Sequence, residues 1–177
     1  MVISRRSALV TLSLLLVGLT ARAQTIAAPN VVVISDRLVT SGQPTADALA
    51  SLGRLGFQAV IYLAPNTVAD AIKDEPELLT KQGIEFVHVP IPFGSPEEKH
   101  FAEVSAALER LKLKKVLVHC QVNLRASSIV FLHRVIRGKE DPARAYEAVA
   151  AVWSPNGPWR RFLEAQLSRH SIKFEPY

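Results

Sequence analysis

The chain holds one cysteine, and it stands in Val116-Leu117-Val118-His119-Cys120-Gln121-Val122-Asn123-Leu124-Arg125-Ala126-Ser127-Ser128. The apolar residues before it read as a strand buried on both faces, and those from Arg125 onward as a helix. A thiol at such a junction meets inward-pointing backbone N–H groups and the positive end of the helix dipole. Arg125 adds a full charge and a planar fork suited to two phosphate oxygens. Both effects favour thiolate over thiol, so Cys120 is expected to act as a nucleophile. The chemistry this implies is in-line attack on phosphorus, giving a cysteinyl-phosphate that water then releases. The amides of Gln121, Val122, Asn123 and Leu124, with Arg125, would hold the equatorial oxygens where charge accumulates. His119 is expected to orient the loop, and Ser127 or Ser128 to donate a hydrogen bond to the sulfur. The bland reading, a cysteine buried as a small hydrophobe, is outweighed by the His before it and the Arg and Ser after it.

The elements that must position this loop follow from apolar runs and turn residues. Strands are predicted over 31–34, 37–41, 59–63, 85–89 and 115–119. Helices are predicted over 46–55 (Thr45 as cap, Gly56 past the end), 76–83, 97–111, 125–137, 142–152 (Asp141 as cap) and 158–169. Strands alternating with helices predict one α/β domain over 24–177 with a central, mostly parallel sheet. In such sheets ligands bind beyond the carboxyl ends of the strands, which points to the residues after Leu63, Val89 and His119.

The segment His119-Cys120, a short loop, Arg125 and then Ser127 on a helix resembles the signature of the cysteine-based protein tyrosine and dual-specificity phosphatases. Ser41-Gly42-Gln43-Pro44-Thr45, Leu52-Gly53-Arg54-Leu55-Gly56-Phe57 and Val60-Ile61-Tyr62-Leu63 are similar to the small bacterial beta-lactamase-hydrolase-like group of that superfamily. The resemblance covers nearly all of residues 31–167. It implies a dual-specificity-phosphatase-like fold, no cofactor, and a phosphorylated protein or small molecule as substrate.

The chain departs from that pattern twice. The resembling enzymes have five residues between Cys and Arg, usually with a Gly; here there are four and no Gly, so Ala126 holds the family's Arg position. Asn123 is expected to compensate, since Asn tolerates left-handed backbone better than most residues. Those enzymes also supply an Asp from a loop facing the thiol, and the corresponding residues 90–96 contain none. Glu97, Glu98 and His100 read as the charged first turn of a helix, which leaves Asp70 and Asp74 as alternatives. The four-residue spacing also resembles rhodanese-like sulfurtransferases. A silent phosphate- or polyanion-binding module on the same fold is a third reading.

Composition sets the outer limits. The chain has 177 residues, 49% apolar and 21% charged, with 8 Gly and 11 Pro, which excludes fibrous and disordered classes. A single Cys excludes an intramolecular disulfide. Arg5-Arg6, an uncharged run and Ala21-Arg22-Ala23 predict a signal peptide over 1–23, of Sec or twin-arginine type, and hence a periplasmic or secreted protein. The apolar run, about 13 residues, is shorter than the roughly 20 that span a bilayer, so no stable membrane insertion is expected once the signal is removed. Three of the 21 basic residues precede residue 24, leaving 18 basic against 16 acidic groups, so the basic character belongs mainly to the tag and a nucleic-acid partner is not expected. The five His are scattered without metal-ligand spacing. His88 reads as a core-edge residue, Trp153 and Trp159 as pins for the turn between them, and Lys112, Lys114 and Lys115 as a solvated loop.

Overall fold

Five strands form one sheet in the order β1-β2-β5-β3-β4: β1 Val32–Ser35, β2 Leu38–Ser41, β3 Ala59–Tyr62, β4 Glu85–His88 and β5 Val116–His119. The computed structural model describes residues 26–177, so the predicted signal peptide lies outside the described residues. The β1–β2 pair is antiparallel, and β2–β5, β5–β3 and β3–β4 are parallel. The sheet is therefore mostly parallel, as the alternation of strands and helices predicts. The central strands β3 and β5 are buried at every residue, which explains their unbroken apolar runs.

Alternate residues of these strands feed two cores. Val39, Val60 and Leu117 face α1 (Ala46–Leu49) and α2 (Glu75–Thr80), where Leu49, Leu52 and Leu79 are buried. Ile61, Val116 and Val118 face α3 (Glu98–Arg110), α4 (Leu124–Ile136), α5 (Pro142–Ala150) and α6 (Gly157–Arg169). The helix α4 is buried along most of its length, as expected of the element that starts at the thiol loop and lies beneath α3, α5 and α6.

One predicted helix is corrected. Residues 46–55 do not form a single helix: α1 ends at Leu49, and Leu52–Leu55 form a separate 3-10 turn. The Ser51 hydroxyl donates to Ala48 O, a local bond that competes with helix continuation, and Gly53 gives its N–H to the Gln82 side chain. The caps act as predicted. Thr45 accepts from Ala48 N–H, Asp141 accepts from Arg144 N–H, and Gly56 takes φ 81° to end the turn.

Candidate active site

The carboxyl ends of four adjacent strands come level, because the parallel registers pair Ser41 with His119, His119 with Tyr62, and Tyr62 with His88. The thiol loop rises from the middle of this row. The Cys120 N–H donates to Ser41 O at 3.3 Å, and the next residues are held from outside. Gln43 N–H donates to Gln121 O at 2.9 Å, and Gly42 bridges to Val122. This approach is so close that a Cβ on Gly42 would lie 2.6 Å from Gln121 O, so only glycine fits there.

Asn123 makes the turn into α4 at φ 70°, the left-handed region that the missing glycine would otherwise occupy. Its Nδ2 donates to Asn30 O at 2.6 Å and Thr40 Oγ1 at 3.0 Å, and Asn30 Nδ2 returns a bond to Val122 O. The four-residue loop is thus a tethered turn held by the segment before β1. Sequence reasoning missed Asn30, since a lone Asn more than ninety residues upstream gives no local signal.

Arg125 opens α4 and is 5% exposed. Its Nε donates to Ile91 O at 2.9 Å, and its guanidinium lies 5.1 Å from the Phe93 ring centre. Among the described residues no carboxylate pairs with it, whereas Arg110 and Lys114 both pair with Glu85. A buried guanidinium without a counter-ion costs several kcal/mol unless an anion completes it. Phe93 is fixed in turn: Trp159 Nε1 donates to Phe93 O, and both Trp153 and Trp159 lie within about 6 Å of its ring. The two tryptophans therefore hold the loop beside Arg125 as well as their own turn.

His119 is fully buried, and its Nε2 lies 2.7 Å from Glu75 Oε1. The other carboxylate oxygen accepts from Gln43 Nε2 at 2.9 Å. His119 therefore ties β5 to α2 through its side chain, and its Nδ1 has no partner. Tyr62 stacks between His119 and His88, with ring centres 4.8 and 5.0 Å away. Its hydroxyl is buried without a partner and is pushed up to about 12, by burial first and then by Glu75, Asp70 and Cys120, with Arg125 opposing. The phenol thus stays protonated in the midst of the site. Glu75 and Tyr62 were invisible to sequence reasoning: one reads as an ordinary helix start before Pro76, the other as part of an apolar run.

The remaining predicted residues divide clearly. Cys120 is fully buried and belongs to the larger apolar cluster. Ser127 Oγ donates to Leu124 O at 3.3 Å, and Ser128 Oγ is buried without a partner; neither is bonded to the sulfur. Gln121 is at the surface, where its Nε2 donates to Asp70 Oδ1 at 2.9 Å. Glu97, Glu98 and His100 do form the start of α3, where Glu97 N–H donates to His100 Nδ1 and the carboxylates pair with Lys99 and Arg169. His88 is a core-edge residue bonded to Ala64 O.

No protein-family model matches the chain. Among curated proteins it is 30% identical over 116 residues to the beta-lactamase hydrolase-like protein of Xylella fastidiosa (strain Temecula1 / ATCC 700964). That match covers 62% of this chain but spans only about a quarter (26%) of the relative's length. Among solved structures, a DUF442 protein of Shewanella putrefaciens CN-32, assigned as a phosphatase, aligns with a TM-score of 0.72 and 26% identity over 81% of this chain and 94% of that one. Tk-PTP in its active form aligns with a TM-score of 0.64 and 25% identity over 80% of this chain and 96% of that one.

Proposed function

We propose that this chain, which has the fold of the cysteine-based tyrosine and dual-specificity phosphatases and is similar to their beta-lactamase-hydrolase-like members, hydrolyses phosphate monoesters through Cys120. The observation that carries the reading is Arg125: a buried guanidinium, next to the start of α4 and five residues from the thiol, with no carboxylate partner among the described residues. A phosphate would supply the missing charge. Cys120 Sγ attacks phosphorus, the ester P–O bond breaks, and the amides of 121–124 and the free N–H groups of Arg125 bind the equatorial oxygens. Water then attacks the cysteinyl-phosphate, and the S–P bond breaks to release phosphate and the thiolate.

The test compares wild type with Cys120→Ser and Arg125→Lys on 4-nitrophenyl phosphate and on thiosulfate plus cyanide. Phosphate release that both substitutions abolish supports the reading. Thiocyanate formation without phosphate release would replace it with sulfur transfer. One observation favours a second reading, a silent phosphate-binding module: the sulfur is closed off. Phosphate binding in calorimetry, lost in Arg125→Lys, with no turnover of either substrate would establish that module instead.

We also propose that the protein works outside the cytoplasm, on the strength of the charged, apolar and small-residue order of residues 1–23. Cell fractionation with N-terminal sequencing should find a mature protein that begins at Gln24.

A further inference from the structure

Resting on the phosphatase reading, we infer that Asp70 is the general acid and base of the reaction, delivered by the loop between β3 and α2. An alkoxide or phenoxide leaves phosphorus slowly unless it is protonated as the P–O bond breaks, so a proton donor is needed at the mouth of the cradle. Residues 90–96, on the other side of Arg125, hold no acidic side chain. The carboxylates that follow them are engaged along α3, Glu97 with Lys99 and Glu98 with Arg169. Glu75 is buried, with both oxygens bonded to His119 and Gln43. Asp70 differs from all of these. It is exposed, and its Oδ1 sits 2.9 Å from Nε2 of Gln121, the residue next to the nucleophile.

The Gln121 bond suits the role. A neutral carboxyl keeps it through Oδ1 as acceptor while Oδ2–H faces the ester. In the first step Sγ bonds to phosphorus, the P–O bond breaks, and the Asp70 proton goes to the departing oxygen. In the second, Asp70 takes a proton from the water that attacks phosphorus, and the S–P bond breaks to return the thiolate.

Asp70→Asn should be compared with wild type on phenyl phosphate and 4-nitrophenyl phosphate. Phenolate needs the proton and nitrophenolate scarcely does. The variant should lose about 10²- to 10³-fold in kcat/KM, which reads only the step that expels the leaving group, on phenyl phosphate but no more than about tenfold on the nitrophenyl ester. Asp70→Glu should restore part of the phenyl phosphate activity, and Asp70→Asn should lose the alkaline fall of the pH profile. Loss by one common factor on both esters, or no loss, overturns the inference, since an aspartate that merely anchors Gln121 cannot sense the leaving group. Failure of wild type on both esters would instead be failure of the phosphatase reading, visible in the same assay.

Discussion

The two ends of the sheet treat polar groups in opposite ways. At the amino ends of β4 and β5, Glu85 pairs with Arg110 and Lys114, and Lys115 reaches Leu55 O while its charge sits over the Phe57 ring. These groups are partly exposed and each has a partner. At the carboxyl ends, polar side chains are buried and several have none: among the described residues the unpartnered buried atoms include Gln43 Oε1, Tyr62 Oη, His119 Nδ1, Asn123 Oδ1 and Ser128 Oγ, all on segments that build the site. A folded protein keeps such groups unpaired at a cost of about 1–3 kcal/mol each. The proposed phosphate site would account for their concentration at one end of the same strands.

The largest test of that contrast replaces one arginine at each end. Arg125→Met should lower phosphate release by at least about 10²- to 10³-fold, the typical loss for removing one group that stabilises charge in the transition state. It should also raise the urea midpoint, because an unpaired buried charge gives way to an apolar chain. Arg110→Met should change neither quantity appreciably, since its ion pair with Glu85 is largely solvated. If Arg125→Met destabilises the protein as much as an ordinary core truncation, the guanidinium is structural and the contrast fails.

Carboxylates at the two ends give the next comparison. Glu75→Ala leaves His119 and Gln43 buried without their acceptor, and should cost about 3–5 kcal/mol in equilibrium denaturation. Glu85→Ala removes a carboxylate held low by hydrogen bonds from Lys114 and Arg110, yet partly exposed, and should cost about 1 kcal/mol or less. Equal losses would mean that burial does not distinguish the two ends.

Gly42→Ala probes the backbone. Its Cβ would press on Gln121 O and the Pro29 ring, so the thiol loop must shift. The expected cost is about 1–3 kcal/mol, with a larger proportional loss of kcat than of substrate affinity. Gly83, by contrast, has open space around its Cβ, although its φ of 70° disfavours an L side chain. Gly83→Asn should therefore be tolerated with unchanged activity.

How much of this was legible in the sequence follows from the range of each interaction. Strands β3 and β5 announce themselves because burial on both faces demands an unbroken apolar run, and Cys120 and Arg125 because strand, loop and helix start are contiguous. The break between α1 and the 3-10 turn escaped because Ser51 and Gly53 exert their effect through Ala48 and a distant Gln82. Glu75, Gln43 and Asn30 escaped for a stronger reason. Their partners lie tens of residues away, and only the sheet register brings β5, α2 and the segment before β1 to one place. Asp70 was visible only as one candidate acid of several until the contact with Gln121 set it apart.

The smallest expected effect is a pH dependence that originates away from the site. Burial pushes His133 below the usual imidazole value of 6.5, with Glu109 opposing and Arg137 assisting, and its Nδ1 lies 2.8 Å from the Ser105 hydroxyl. Burial lowers His100 as well, and its Nδ1 accepts from Glu97 N–H, a bond that a protonated ring cannot accept. Folding therefore holds both rings neutral at pH values where the unfolded chain binds protons. Between the lowered folded values and 6.5 the unfolded state carries more protons, so stability is complete above 6.5, declines as pH falls from 6.5 toward the folded values, and levels off below them. The urea midpoint should be flat from about pH 8 to 7 and slope downward below about 6.5. The double variant His100→Gln/His133→Gln should flatten that slope while leaving phosphate release intact. A slope that survives it would show that these two rings are not its source, and the contrast between the two ends of the sheet would then owe nothing to them.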